Sequence, residues 1–163
     1  MLIDFCVSLT KTLLVCLLTT NLTEMHFTKD KVFLDTNILV YSFIEKEDPK
    51  KDIGRELIKY HNNQICISTQ VLGELYNVIT KYKHSKLLAS RVIQECINDF
   101  SVSVIKIPEV IKAIDIHTRY QFHYYDSLII AAALSSNCKI LFSEDMHHGQ
   151  LIEGKLKIIN PFI

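Results

Sequence analysis

From Lys31 onward, short apolar runs alternate with longer stretches in which apolar residues return every three or four positions. That is the pattern of strands joined by crossover helices around a mainly parallel sheet. Strands are expected at Lys31–Leu34, Gln64–Ile67, Val102–Ile105, Lys139–Phe142 and Lys157–Ile159, and helices at Pro49–His61, Thr69–Tyr82, Ser85–Phe100, Glu109–Tyr120 and Tyr125–Ser136. Within Thr69–Tyr82, the residues Val71, Leu72, Leu75, Val78 and Ile79 recur at helical spacing, and Ser68 or Thr69 offers an N-cap. The segment Leu128–Leu134 is apolar all round, which predicts a helix buried in the middle of the domain. Only short connections remain, and the expected class is α/β with a mainly parallel central sheet of about five strands.

This topology has a consequence for four acidic residues. In a parallel sheet with right-handed crossovers every strand ends on one edge, and the helices that follow open their first turns there. Asp35 follows the first strand, Glu74 lies about one turn into the helix after the second, Asp126 falls in the first turn of the buried helix, and Asp145 comes shortly after the strand ending at Phe142. Each has an ordinary explanation: Asp35 and Asp145 as turn formers or caps, Glu74 as a solvated helix residue at the border of its apolar stripe, Asp126 as a complement to a helix dipole. Together those explanations fit less well, because four carboxylates on one rim repel one another and raise each other's pKa unless a positive charge sits among them. No lysine or arginine is adjacent to any of the four in sequence. A hard divalent cation is the economical counter-charge. An oxygen-only donor set with no cysteine or histidine spacing points to magnesium or manganese and away from zinc. Such ions activate water and neutralise charge on a phosphodiester, so phosphodiester hydrolysis follows from the chemistry. Asn37 and Ser143 are placed to hold a water or a phosphate oxygen, or to serve as plain turn residues.

Composition adds limits. Lysine plus arginine and aspartate plus glutamate number 18 each among 163 residues, so no basic excess announces a nucleic-acid binder. Five scattered cysteines without a C-x-x-C spacing suit free thiols in a reducing cytoplasm. Four glycines and three prolines leave no flexible linker, and one domain is expected at residues 30–163. Residues 1–29 form an extension of uncertain role. Thr12 to Leu22 is apolar and follows Lys11, the outline of a signal-peptide core, but Asp4 lies upstream, no small-x-small cleavage site follows, and the run is short of the roughly 20 residues a membrane span needs. No stable membrane association is expected, and Met25 is a candidate start.

The ordered set Val32-Phe33-Leu34-Asp35-Thr36-Asn37-Ile38-Leu39-Val40-Tyr41, Ser68–Val78 around Glu74, Tyr124-Tyr125-Asp126-Ser127-Leu128-Ile129-Ile130-Ala131-Ala132-Ala133 and Leu141-Phe142-Ser143-Glu144-Asp145-Met146 resembles the four motifs of PIN domains. The likeness covers Lys31 to the C-terminus, and small stand-alone members are similar to VapC toxins of toxin–antitoxin pairs. The resemblance implies an α/β/α sandwich, magnesium- or manganese-dependent endonucleolytic cleavage of RNA, a homodimer, and inhibition by a small antitoxin that inserts a segment into the groove. It also implies that Asp35, Glu74 and Asp126 bind metal and that a fourth acid completes or supports the site. Either Glu144 or Asp145 could be that acid, with Asp145 favoured by register.

Substrate phosphates need cations. Lys81, Lys83, Lys86 and Arg91 form one local group and Lys46, Lys50, Lys51 and Arg55 another, both expected as solvated faces. Arg119, beside Tyr120, Phe122, Tyr124 and Tyr125, is the better candidate for an RNA contact. His117, His123, His147 and His148 match no common ligand spacing and are read as non-catalytic, His147 and His148 as loop residues near the site. Three rivals remain. An aspartyl-phosphate phosphatase would want an aspartate where Asn37 stands, a degenerate binding module would be expected to have lost an acid, and a PIN nuclease in RNA maturation would share the site.

Overall fold

The computed structural model describes residues 30–43, 48–83 and 85–163. The extension at 1–29 with its apolar Thr12–Leu22 stretch and Met25, and also Lys46 and the Lys83 side chain, lie outside the described residues. The elements run β1 (Val32–Leu34), α1 (Thr36–Phe43), α2 (Pro49–His61), β2 (Ile65–Ser68), α3 (Thr69–Lys83), α4 (Lys86–Asp99), β3 (Ser101–Ser103), α5 (Ile107–Tyr120), α6 (Tyr124–Ser135), β4 (Ile140–Phe142), β5 (Leu151–Ile152) and β6 (Leu156–Ile159). They form one six-stranded sheet in the order β3-β2-β1-β4-β6-β5, parallel except where β5 meets β6.

All ten elements drawn from the periodicity are present, Pro49–His61 at its expected bounds and the others with ends shifted by at most two residues. Local chemistry sets those ends. Ser68 caps α3 by accepting from the Val71 N–H at 3.3 Å, and Ser85 caps α4 by accepting from Leu88 at 3.2 Å. Two elements go beyond the sequence reading. Helix α1 is short and rich in residues that favour strands, and what holds it helical is tertiary: Ile38 and Leu39 are fully buried and the helix packs on α2. Strand β5 is two residues long and closes a hairpin through Glu153 and Gly154, at φ of 50° and 66°, so the sheet has six strands where the periodicity predicts about five.

The core follows from the sheet's centre. Val32, Phe33 and Leu34 of β1 are buried on both faces, as a central parallel strand requires. Ile129 to Ala133 of α6 are buried as well, matching its all-apolar sequence, and α6 packs on α5 and β2. The chain steps from β1 outward to β2 and β3, then returns through α5 and α6 to β4 on the other side of β1. With right-handed crossovers this reversal puts α1–α4 on one face and α5 and α6 on the other. The reversal falls between β1 and β4, and the crevice beyond their carboxyl ends is where such sheets bind ligands.

Candidate active site

Asp35 is the residue between β1 and α1. Its N–H donates to the Phe142 carbonyl at 3.0 Å, tying the end of β1 to the end of β4. The residue is 6% exposed, and its carboxylate is held by three donors: the Thr36 N–H to Oδ1 at 2.6 Å, and to Oδ2 the Ser143 hydroxyl at 2.6 Å and the Asn37 amide at 3.2 Å. Burial pushes its pKa up to about 7 from 3.8; the Ser143 and Thr36 hydrogen bonds pull it down by less, and the nearby charges of Glu74 and Asp126 push it further up.

Glu74 on α3 accepts from the Thr36 hydroxyl at 2.5 Å and from the Gln70 amide at 2.7 Å. The same Gln70 amide reaches the Tyr125 carbonyl at 3.2 Å, linking the first turns of α3 and α6. Asp126, in the first turn of α6, is half-buried and also raised, mainly by desolvation; the charge of His123 opposes this, and Asp145 and Glu74 add to it. Asp145 lies on the loop after β4. Asn37 spans the gap, its Nδ2 donating to Asp35 and to Asp145 Oδ2 at 3.1 Å.

These four acids line one cleft of about 510 Å³ with Thr36, Asn37, Val40, Tyr41, Val78, Tyr82 and Ile129. Among the described residues the lining mixes the carboxylates, Thr36 and Asn37 with Val40, Val78, Ile129 and two tyrosines, and it holds no lysine or arginine. Ser143 sits fully buried beneath it. Of the two adjacent acids weighed for the fourth place, Asp145 faces the cleft, whereas the Glu144 carboxylate is turned onto Lys50.

Arg119 does not join this cleft. Its guanidinium is committed to Asp115 and Glu153, both at 3.1 Å, and lies 5.3 Å from the Tyr120 ring centre. The expectation of Arg119 as an RNA contact thus falls outside the cleft, on a half-exposed side chain whose Nη1 holds both carboxylates. Lys50 is only partly solvated, since it pairs with Glu144, whereas Arg55 is exposed as expected, its Nε donating to the Ser42 carbonyl at 3.1 Å. The histidines hold loops. His117 Nδ1 contacts the Phe122 carbonyl at 2.6 Å, His147 stacks near Phe122, and His148 accepts from the Asn160 N–H at 3.1 Å.

Among the described residues, no three histidine, cysteine, aspartate or glutamate side chains draw together closely enough to cage an ion by themselves. The donor set nevertheless fits a magnesium-like ion, which keeps several waters and takes only one or two protein carboxylates. A carboxyl raised to about 7 beside two further acids is a group that a cation would return to its charged form.

Comparison with known proteins decides the family. The family model described as "PIN domain" matches residues 32–151, from β1 into β5 and across all four acids. The chain belongs to the PIN domain family. No curated protein matches this PIN domain by sequence. Its fold is similar to that of a toxin–antitoxin complex from Klebsiella pneumoniae, with TM-score 0.64, 18% identity, and 81% of this chain and 98% of that chain covered. It is also similar to VapC20 of Mycobacterium tuberculosis, a sarcin-ricin loop cleaving toxin, with TM-score 0.61, 14% identity and coverage of 71% and 92%. The VapBC complex of Salmonella typhimurium bound to DNA gives TM-score 0.61, 21% identity and coverage of 78% and 96%.

Periodicity and topology alone place the four acids of this PIN domain, while Thr36, Gln70 and Lys50 escape that reading. Gln70 stands one helical turn before Glu74, so its amide falls beside that carboxylate. Thr36 carries a signal only once α1 is known to begin there.

Proposed function

We propose that this chain is a divalent-metal-dependent endoribonuclease and the toxin of a toxin–antitoxin pair. The observation that carries the reading is the convergence of Asp35, Glu74, Asp126 and Asp145, from four separate elements, on one open cleft at the switch point of a PIN-domain sheet. Asp35, Glu74, Asp126 and Asp145 would hold Mg2+ or Mn2+, one or two of them directly and the others through its waters, and the ion when bound supplies an activated water and neutralises charge developing on a phosphodiester. The remaining chemistry belongs to the chain. Ser143, Thr36 and Asn37 fix the Asp35 carboxylate, Thr36 and Gln70 fix Glu74, and Asn37 couples Asp35 to Asp145. Such hydrogen bonds orient ligands before any cation arrives and spare the cost of ordering them then. Tyr41 and Tyr82 on the cleft wall present rings on which a base of single-stranded RNA can stack.

Partners and place follow the same reading. The solved structures of similar fold include toxin–antitoxin and VapBC complexes, which supports an antitoxin as the protein that closes the cleft. An exposed row of Ile107, Ile111 and Ile114 along α5, continued by Val104, supports a homodimer through that face. The three described cysteines are buried free thiols, and no helix among the described residues is long and apolar enough to cross a membrane; both fit work in the cytoplasm.

The biological role is tested by expressing the chain alone in a bacterial host. Growth arrest that Asp35→Asn relieves, and that the product of a short neighbouring reading frame also relieves, is the expected result. Normal growth with the protein abundant and folded would overturn the toxin assignment.

A further inference from the structure

Two adjacent acids follow Ser143, and only one of them faces the cleft. Each polar group of Glu144 has a partner, and its carboxylate is turned away from the cleft. Its N–H donates to Asn37 Oδ1 at 3.4 Å, its carbonyl accepts from the Asn160 amide at 3.2 Å, and its carboxylate takes the Lys50 ammonium. That ammonium also donates to the Tyr41 hydroxyl at 3.3 Å and lies over the Tyr41 and Phe162 rings, 4.7 and 5.5 Å from their centres. The two rings meet edge to face at 5.3 Å. Lys50 is thus seated in a box built from α1, the start of α2 and the C-terminal segment, with Glu144 as its anion.

The seat has a chemical purpose. Cleft and loop together carry five carboxylates, and Glu144, one methylene longer than its neighbour Asp145, already draws its N–H partner, Asn37, from the cleft lining. A bound divalent ion would attract it there. We infer that Lys50 is a positioning residue, which by engaging Glu144 keeps that carboxylate out of the cleft and makes Asp145 the fourth acid. The inference rests on the metal reading proposed above. It assigns Lys50 no contact with substrate.

The test is a set of Mn2+ affinities on the full chain, read from the electron paramagnetic resonance signal of free Mn2+, with RNA cleavage measured alongside. In the wild-type background Asp145→Asn should weaken Mn2+ binding about tenfold, the loss typical of a disturbed metal site. In a Lys50→Met background Glu144 is free to replace the lost acid, and the same substitution should cost less than about threefold. Adding Glu144→Gln to that pair should restore the full tenfold loss, and Glu144→Gln alone should leave the affinity near wild type. A residue that merely braced the fold would shift all backgrounds by one factor. An equal penalty for Asp145→Asn with and without Lys50, or a loss from Glu144→Gln alone as large as that from Asp145→Asn, would overturn the assignment. Should Lys50→Met fail to fold, Lys50→Gln keeps the stem on the aromatic rings and runs the same cycle. If the wild-type chain shows no Mn2+ binding that Asp35→Asn removes, the metal reading itself falls and takes this assignment with it.

Discussion

At the scale of single residues the decisive quantity is the state of Asp35. Burial raises its pKa to about 7, against hydrogen bonds that favour the carboxylate and with the help of two neighbouring acids. A carboxyl whose folded value lies above its ordinary one binds its proton more tightly in the fold. The stabilisation is complete below about pH 4 and is lost as the pH rises through about 7, and it amounts to roughly 1.4 kcal/mol for every tenfold gain in proton affinity. Asp35→Asn removes the titration while keeping the shape and an acceptor for Thr36 or Ser143. We expect metal-free Asp35→Asn to melt several degrees above wild type at pH 8 and to lose that advantage at pH 4, as thermal denaturation at the two pH values will show. A second expectation concerns Thr36, whose hydroxyl donates to Glu74. Thr36→Val should reduce RNA cleavage about tenfold or more with little change in melting temperature, since it removes an orienting hydrogen bond and almost no volume; an unchanged cleavage rate would contradict that role.

At the scale of elements, α1 is the pivot. It begins one residue after Asp35, carries Thr36, Asn37 and Tyr41, and leans on α2, which supplies Lys50. Gly54 of α2 is buried against α1, where a methyl group would collide with the Ser42 hydroxyl. Gly54→Ala should therefore cost about 1–3 kcal/mol in denaturant unfolding, less whatever alanine returns in helix propensity. Combining it with Ser42→Ala should recover most of that loss, because a β-carbon at Gly54 then meets the Ile38 carbonyl at 3.4 Å and the other β-carbon at 3.6 Å, both ordinary contacts. This helix also marks the limit of what the sequence makes legible. The central strands, α6 with its all-apolar run, and the rim on which four acids gather follow from periodicity and handedness, because each is dictated by which residues must be buried. Helix α1 cannot be read that way: Asp35 offers a cap before it, but Thr36–Phe43 has weak intrinsic preference, and it is helical because β1, α2 and α3 leave it that space. For the same reason Thr36 and Lys50 are illegible in the sequence as site-building residues, and Arg119 looks freer there than it is, because Glu153 reaches it only from the β5–β6 turn.

At the scale of the whole molecule, one end of the sheet gathers negative charge and the α5 face gathers exposed isoleucine. The apolar row predicts association: Ile111→Asp should turn a dimer into a monomer in sedimentation or light scattering, with the Asp35 cleft unaltered. A wild-type monomer at micromolar concentration would contradict that expectation. The cleft makes the stronger claim, that its acids act by holding a divalent ion against RNA. The direct measurement is cleavage of single-stranded RNA by the purified full chain with Mn2+, with excess chelator, and with Asp126→Asn in place of wild type, each confirmed folded by circular dichroism. The account predicts endonucleolytic products only from the wild-type protein with the ion present. Undiminished cleavage in chelator, or full activity in Asp126→Asn, would contradict it.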